Sequence, residues 1–160
     1  AHHERAQETG ARIVHCCGFD SIPMDIGVFF LQEEAKARHG AYCDSIALYV
    51  KATKGSVSGG TLASMSNIIQ EAKRDRSIAR ILADPYALNP PDERQGPDGG
   101  DQRDVRFDED VQSWTAPFVM AGINTRIVRR SNALAGYPYG RGFRYREATL
   151  TGPGTGAVHA

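Results

Sequence analysis

Two short runs carry the residue types that bind and orient ligands: CGFDSIPMDIG at residues 17–27 and KGSVSGGT at residues 54–61. Each reads as a loop feeding a helix start, and open α/β sheets place ligands beyond the carboxyl ends of their strands. The unpaired amides of such a helix start favour an anion or a polarised oxygen. In the first run Asp20 and Asp25 could orient a substrate or a cofactor ring, and Ser21 could donate one hydrogen bond. Capping explains the same residues without a ligand: Asp20 or Ser21 caps the helix, while Gly18 and Pro23 shape the turn. In the second run Lys54 adds a point charge beside Gly55, Gly59 and Gly60, and Thr61 is a good helix cap. It is not a phosphate loop of the GxxxxGK[ST] kind, and no GxGxxG occurs in the chain. A flexible turn into a capped helix accounts for it equally well.

Other reactive residue types have plainer readings. His15 lies in an apolar run and reads as a satisfied core histidine, and the vicinal Cys16 and Cys17 as inert packing. Arg129 and Arg130 read as a solvated helix face, and Trp114 as core or interface. No cysteine–histidine spacing suits zinc, so no metal is expected.

The elements that must position these residues follow from periodicity. A polar helical stub over residues 1–8 precedes a short buried strand at 11–17, where Ile13 and Val14 are β-branched. A helix follows over 23–38, with Ile26, Phe29, Phe30 and Ala37 on its apolar side and Gly40 as its stop. Alternation of Ile46, Leu48 and Val50 predicts a strand over 42–51. A long helix over 61–82 carries Leu62, Met65, Ile69, Ala72, Ile78 and Leu82 near one stripe. Further on, 113–121 reads as an edge strand bent at Pro117, and 124–134 as a helix capped by Asn124 or Thr125. That helix has Arg126, Arg129 and Arg130 on one side and Ile127, Val128 and Leu134 on the other. In a last strand over 143–150, Phe143, Tyr145 and Glu147 alternate with Arg144, Arg146 and Ala148. The expected fold is α+β: a mixed, largely antiparallel sheet of about four or more strands with helices packed on one face.

Between these elements, residues 88–110 combine Pro90, Pro91 and Pro97 with glycine and dense charge, which predicts a mobile loop or a lid. With 19 Lys+Arg against 19 Asp+Glu over 160 residues, the chain has no net charge to draw it to nucleic acid. Its length suits one domain of the usual size, about 100–200 residues. Three cysteines without a framework fit a reducing, cytoplasmic setting, with peripheral membrane association left open.

The runs HCCGFDSIPMDIG, KGSVSGGTLASM and INTRIVRRSNAL, with Tyr139-Gly140 and Phe143-Arg144-Tyr145 after them, resemble the saccharopine-dehydrogenase-like oxidoreductases. The resemblance is nearest to their trans-acting enoyl reductase branch. It implies a parent enzyme whose amino-terminal Rossmann domain binds NAD(P), and that domain's glycine-rich turn is not in this chain. Residues 1–22 would be the last helix and strand of that domain, and residues 23–160 a substrate-facing α+β domain. The resemblance places Gly18, Phe19, Asp20, Ser21, Pro23 and Asp25 near the nicotinamide end of the cofactor. It places Lys54, Ser58, Gly59, Gly60 and Thr61 near the substrate, and it assigns no catalytic acid. The implied reaction is hydride transfer to a C=C or C=N bond in lipid metabolism, on a small-molecule or carrier-bound acyl substrate, with a homodimer as one arrangement. Few aromatic residues and no pair of arginines near either loop favour the enoyl bond over an amino-acid imine. The competing expectation is a non-catalytic scaffold module that docks a carrier protein through Arg126, Arg129, Arg130, Arg144 and Arg146.

Overall fold

The computed structural model describes residues 2–18, 21–52 and 59–152. The leading helix α1 (His3–Thr9) closes at Gly10 in the left-handed region, as the polar stub suggests. Helix α2 (Ile22–His39) has Pro23 in its first turn and ends at Gly40 with φ of 76°, a conformation that favours glycine. Strand β1 (Ser45–Val50) follows, then α3 (Gly59–Arg74) and α4 (Arg76–Ala83). The expected single helix over 61–82 is thus two. Asp75 leaves the helical region and accepts a 2.7 Å bond from the Ser77 amide, so it caps α4 and ends α3.

Strands β2 (Arg106–Asp108) and β3 (Ser113–Ala116), helix α5 (Ala121–Leu134) and strand β4 (Arg144–Gly152) complete the described elements. The sheet order is β1-β4-β3-β2, with β1 parallel to β4 and the other two pairs antiparallel. This is the mixed, largely antiparallel α+β sheet that the patterning predicts. Strand β3 pairs only with the last part of β4, from Thr149 to Gly152. Earlier on β4, the Tyr145 amide donates to the Asp98 carboxylate at 3.2 Å, so part of the 88–110 segment stands where another strand would pair.

The core is small: Val28, Ile46, Val128, Phe143 and Tyr145, with Cys43, Leu48 and Tyr139 against it. Gln32 is fully buried and bonds the Cys43 backbone twice, at 3.0 Å and 2.7 Å, which ties α2 to the chain entering β1.

Several expectations are corrected. Residues 11–17 form no strand and are exposed, His15, Cys16 and Cys17 included, because no strand among the described residues pairs with them. The buried side of α2 is Val28 and Gln32, whereas Ile26, Phe29 and Phe30 face out. Helix α5 already starts at Ala121, and Asn124 and Thr125 are buried partners of other elements rather than caps. Its expected basic side is also split: Arg126 and Arg129 are buried and ion-paired, while Arg130 is exposed on the Leu88 carbonyl.

The 88–110 segment is anchored in the structure by charge rather than by apolar burial. Asp101 meets Arg126 at 2.9 Å and Asp98 meets Arg129 at 2.7 Å. Acids three apart match arginines three apart on successive turns of α5. Tyr86 stacks under Arg129 at 5.4 Å, and its hydroxyl accepts a bond from the Asp98 amide.

Candidate functional site

The amino end of α2 meets α5 and β4 through a buried chain of hydrogen bonds. Ser21 donates to Asn124 Oδ1 at 3.0 Å, Asn124 Nδ2 donates to Glu147 Oε2 at 3.0 Å, and the Tyr145 hydroxyl donates to Glu147 Oε1 at 2.7 Å. One turn further along α2, Ser131 of α5 donates to Asp25 at 2.7 Å. Ser21 occupies the N-cap position, yet its side chain makes no capping bond; the hydroxyl is spent on Asn124.

Burial governs the two acids here. It raises the Glu147 carboxyl above its ordinary value, outweighing the opposing bonds from Tyr145 and Asn124. It likewise raises Asp25 against the opposing bond from Ser131. The Tyr145 phenol is pushed far up by burial and by the neighbouring Glu147 charge, so it stays a donor. The network therefore fixes the α2 start and holds protonatable oxygen under it.

Of the residues the resemblance assigns to the cofactor, Ser21 and Asp25 turn inward to α5, Gly18 and Pro23 are exposed, and Phe19 and Asp20 lie outside the described residues. Of those assigned to substrate, Gly59 and Gly60 are exposed at the start of α3, Thr61 is half-buried, and Lys54 and Ser58 lie outside the described residues. Ser21 and Asp25, the described polar side chains of the 17–27 run, are committed to α5. No group of His, Cys, Asp or Glu among the described residues could hold a metal ion.

A separate cleft of about 680 Å³ opens between the 98–104 segment and the β1–β4 pair. It is lined by five arginines (Arg103, Arg106, Arg129, Arg144 and Arg146) and by none of the assigned loop residues. On its wall Arg146 bonds Asp108 at 2.5 Å, Asp110 at 2.7 Å and the Tyr49 hydroxyl at 2.8 Å. The bond from Arg146 holds Asp108 below the usual carboxylate range despite burial.

With 157 residues aligned, 94% of this chain, it is 43% identical to a Mycobacterium tuberculosis protein provisionally named a trans-acting enoyl reductase. Proteins named trans-acting enoyl reductase from Mycobacterium leprae and Mycobacterium bovis are each 40% identical over 159 residues. The chain is similar to the trans-acting enoyl reductases. It spans 38% of the length of each of these relatives. No protein-family model matches the chain, and no solved structure matches it. No helix among the described residues is long and apolar enough to cross a membrane.

The matched region contains residues that sequence reasoning passed over. Asn124 links Ser21 at the start of α2 to β4, and Asp98 and Asp101 hold the cleft wall to α5. A signal existed for Glu147: it is an acid in register with Phe143 and Tyr145 on the apolar side of a strand, where a charge needs partners. Nothing in the local sequence marks Asn124 as more than a helix start.

Proposed function

We propose that this chain is the substrate-side portion of an NAD(P)-dependent enoyl reductase of the saccharopine-dehydrogenase-like kind, acting on a carrier-bound or small acyl substrate in lipid metabolism. What carries the reading is the 43% identity across 94% of the chain to a relative so named. In this reading the dinucleotide is held mainly by sequence that the longer relatives have outside the matched region, and it would supply the hydride. The residues of this chain contribute position: in this reading the Ser21–Asn124–Glu147 network holds the start of α2 toward that cofactor. Exposure of Ile13 (62%) and Val14 (75%) leaves apolar side chains that the further sequence of a longer protein could cover.

The test has two arms. Titrated with NADPH, the 160-residue chain shows no tight binding. The same segment within a protein of the relatives' full length oxidises NADPH when given an enoyl thioester. Micromolar NADPH binding by the short chain, or no turnover by the long one, defeats the proposal. The second reading, a non-catalytic docking module, is favoured by the apolar faces that α2 and α3 leave open, including Phe30 and Leu62. It gains if the long protein is redox-inert and binds a carrier protein in a salt-sensitive way.

A further inference from the structure

We propose that the cleft between the 98–104 segment and the β1–β4 pair binds a phosphate ester through Arg103, Arg106 and Arg144. All three guanidinium-bearing residues line the one cleft, and all three are exposed. Among the described residues none of the three makes an ion pair or a side-chain hydrogen bond, in contrast to Arg126, Arg129, Arg141 and Arg146, each of which has an acid partner. The acids that could neutralise them are already engaged: Asp98 with Arg129, Asp101 with Arg126, and Asp108 and Asp110 with Arg146. Of the lining carboxylates only Asp104 and Glu147 pair with no cation among the described residues, and Glu147 is buried and already bonded by Asn124 and Tyr145, so three unpaired guanidiniums face one open acid.

Three guanidiniums without an acid partner leave charged donors open along one concavity, where an anion can join them. The planar, five-donor guanidinium fork matches phosphate oxygens bidentately. Gly99 and Gly100 lie in the same wall with open space where a side chain would stand, so a ligand can approach their backbone closely. Their amides make no hydrogen bond within the described residues. The site is remote in sequence from both assigned loops, and the proposal stands whether or not the chain serves a reductase.

A phosphate ester can arrive as a free metabolite or as the phosphopantetheine arm of a carrier or coenzyme, and calorimetric titration separates them. The probes are 4′-phosphopantetheine, glycerol 3-phosphate and unphosphorylated pantetheine, each added to the 160-residue chain. Both phosphorylated probes bind, added salt weakens them, and pantetheine does not bind. Tighter binding of 4′-phosphopantetheine than of glycerol 3-phosphate assigns the arm, and equal affinity assigns a free ester. The double variant Arg106→Gln/Arg144→Gln weakens binding roughly tenfold or more, as loss of charge-assisted bonds requires. Arg38→Gln on α2, outside the cleft, leaves binding unchanged. Should the double variant lose its circular dichroism spectrum, Arg103→Gln alone serves with the same expectation. Silence from both phosphorylated probes, equal binding of pantetheine, or full affinity in a folded cleft variant overturns the proposal.

Discussion

Glu147 lies on the core side of β4, 3% exposed, with a donor on each carboxylate oxygen. Both donors favour the charged form, but burial outweighs them, so the folded state holds its proton more tightly than the unfolded chain does. The sign follows. As pH rises from the ordinary glutamate value of 4.5 through the raised folded value, the native state progressively loses stability at this site. Glu147→Gln removes that slope, because a neutral amide never charges. The substitution also keeps the network if Asn124 turns its amide over, giving its NH₂ to Ser21 and accepting with its oxygen from the new side-chain amide. Urea denaturation from about pH 4 to about pH 8 reads this directly. The variant gains on the wild type as pH rises, and a constant gap between the two contradicts it. Asp25 titrates in the same sense, so the comparison must be with the variant rather than with wild type alone. Glu147→Ala instead leaves the buried Asn124 and Tyr145 donors unpaired, each worth about 1–3 kcal/mol, and destabilises at every pH. That an acid sits in the apolar register with Phe143 and Tyr145 was visible in the sequence; which group would answer it was not, because Asn124 lies 23 residues away.

Helix α5 carries a second polar face that ordinary patterning misreads. Arg126 looks like surface charge at its position, yet it donates to the carbonyls of Leu82, Asp84 and Gly122 and to Asp101. Removing it takes a donor from four acceptors, of which the Asp84 carbonyl keeps the Ala87 amide and Asp101 keeps the Thr125 hydroxyl, whereas removing Asp101 leaves the guanidinium three carbonyls. Burial pushes Asp101 up, but the bonds from Arg126 and Thr125 prevail and hold it below the usual range. Arg126→Ala should destabilise by about 3–5 kcal/mol, the scale of a broken buried pair. Asp101→Asn should cost less, about 1–3 kcal/mol, and should open the 98–104 segment to protease. Equal effects in denaturation would mean that the carbonyls contribute nothing. The elements themselves were mostly legible: α2, β1, α5 and β4 follow from apolar spacing, Pro23 and Gly40. Strand β2 was not, since Arg106-Phe107-Asp108 carries no alternation longer than three residues. The anchoring of the 88–110 segment was not legible either, and for a physical reason. Hydrophobic content measures one way of ordering a loop, and here paired charges hold it to a helix whose partner arginines lie more than twenty residues further on.

Across the whole chain, apolar surface is distributed in a way that composition cannot reveal. The periodicity of α2 correctly marks a helix, but periodicity is blind to which of two faces meets the rest of the protein. Val28 and Gln32 face the core, while Ile22, Ile26, Phe29 and Phe30 form an outward stripe at helical spacing. Leu62 and Ile69 of α3, and Ile81 and Leu82 of α4, are exposed as well. A monomer rarely leaves so many large apolar side chains uncovered, and the relatives, of whose length this chain spans 38%, have further sequence that can cover them. Two substitutions on one helix separate the faces. Val28→Ala removes packing in the small core and should destabilise the 160-residue chain by roughly 2 kcal/mol. Ile26→Gln with Phe30→Gln, at side chains 58% and 64% exposed, should change stability by no more than about 0.5 kcal/mol. Where the chain associates with rising concentration, the same double variant should reduce that association in sedimentation velocity, since exposed apolar side chains are surface that copies can share. A large loss of stability in the double variant, matching or exceeding that of Val28→Ala, would place the stripe inside the folded unit and reverse the assignment of faces.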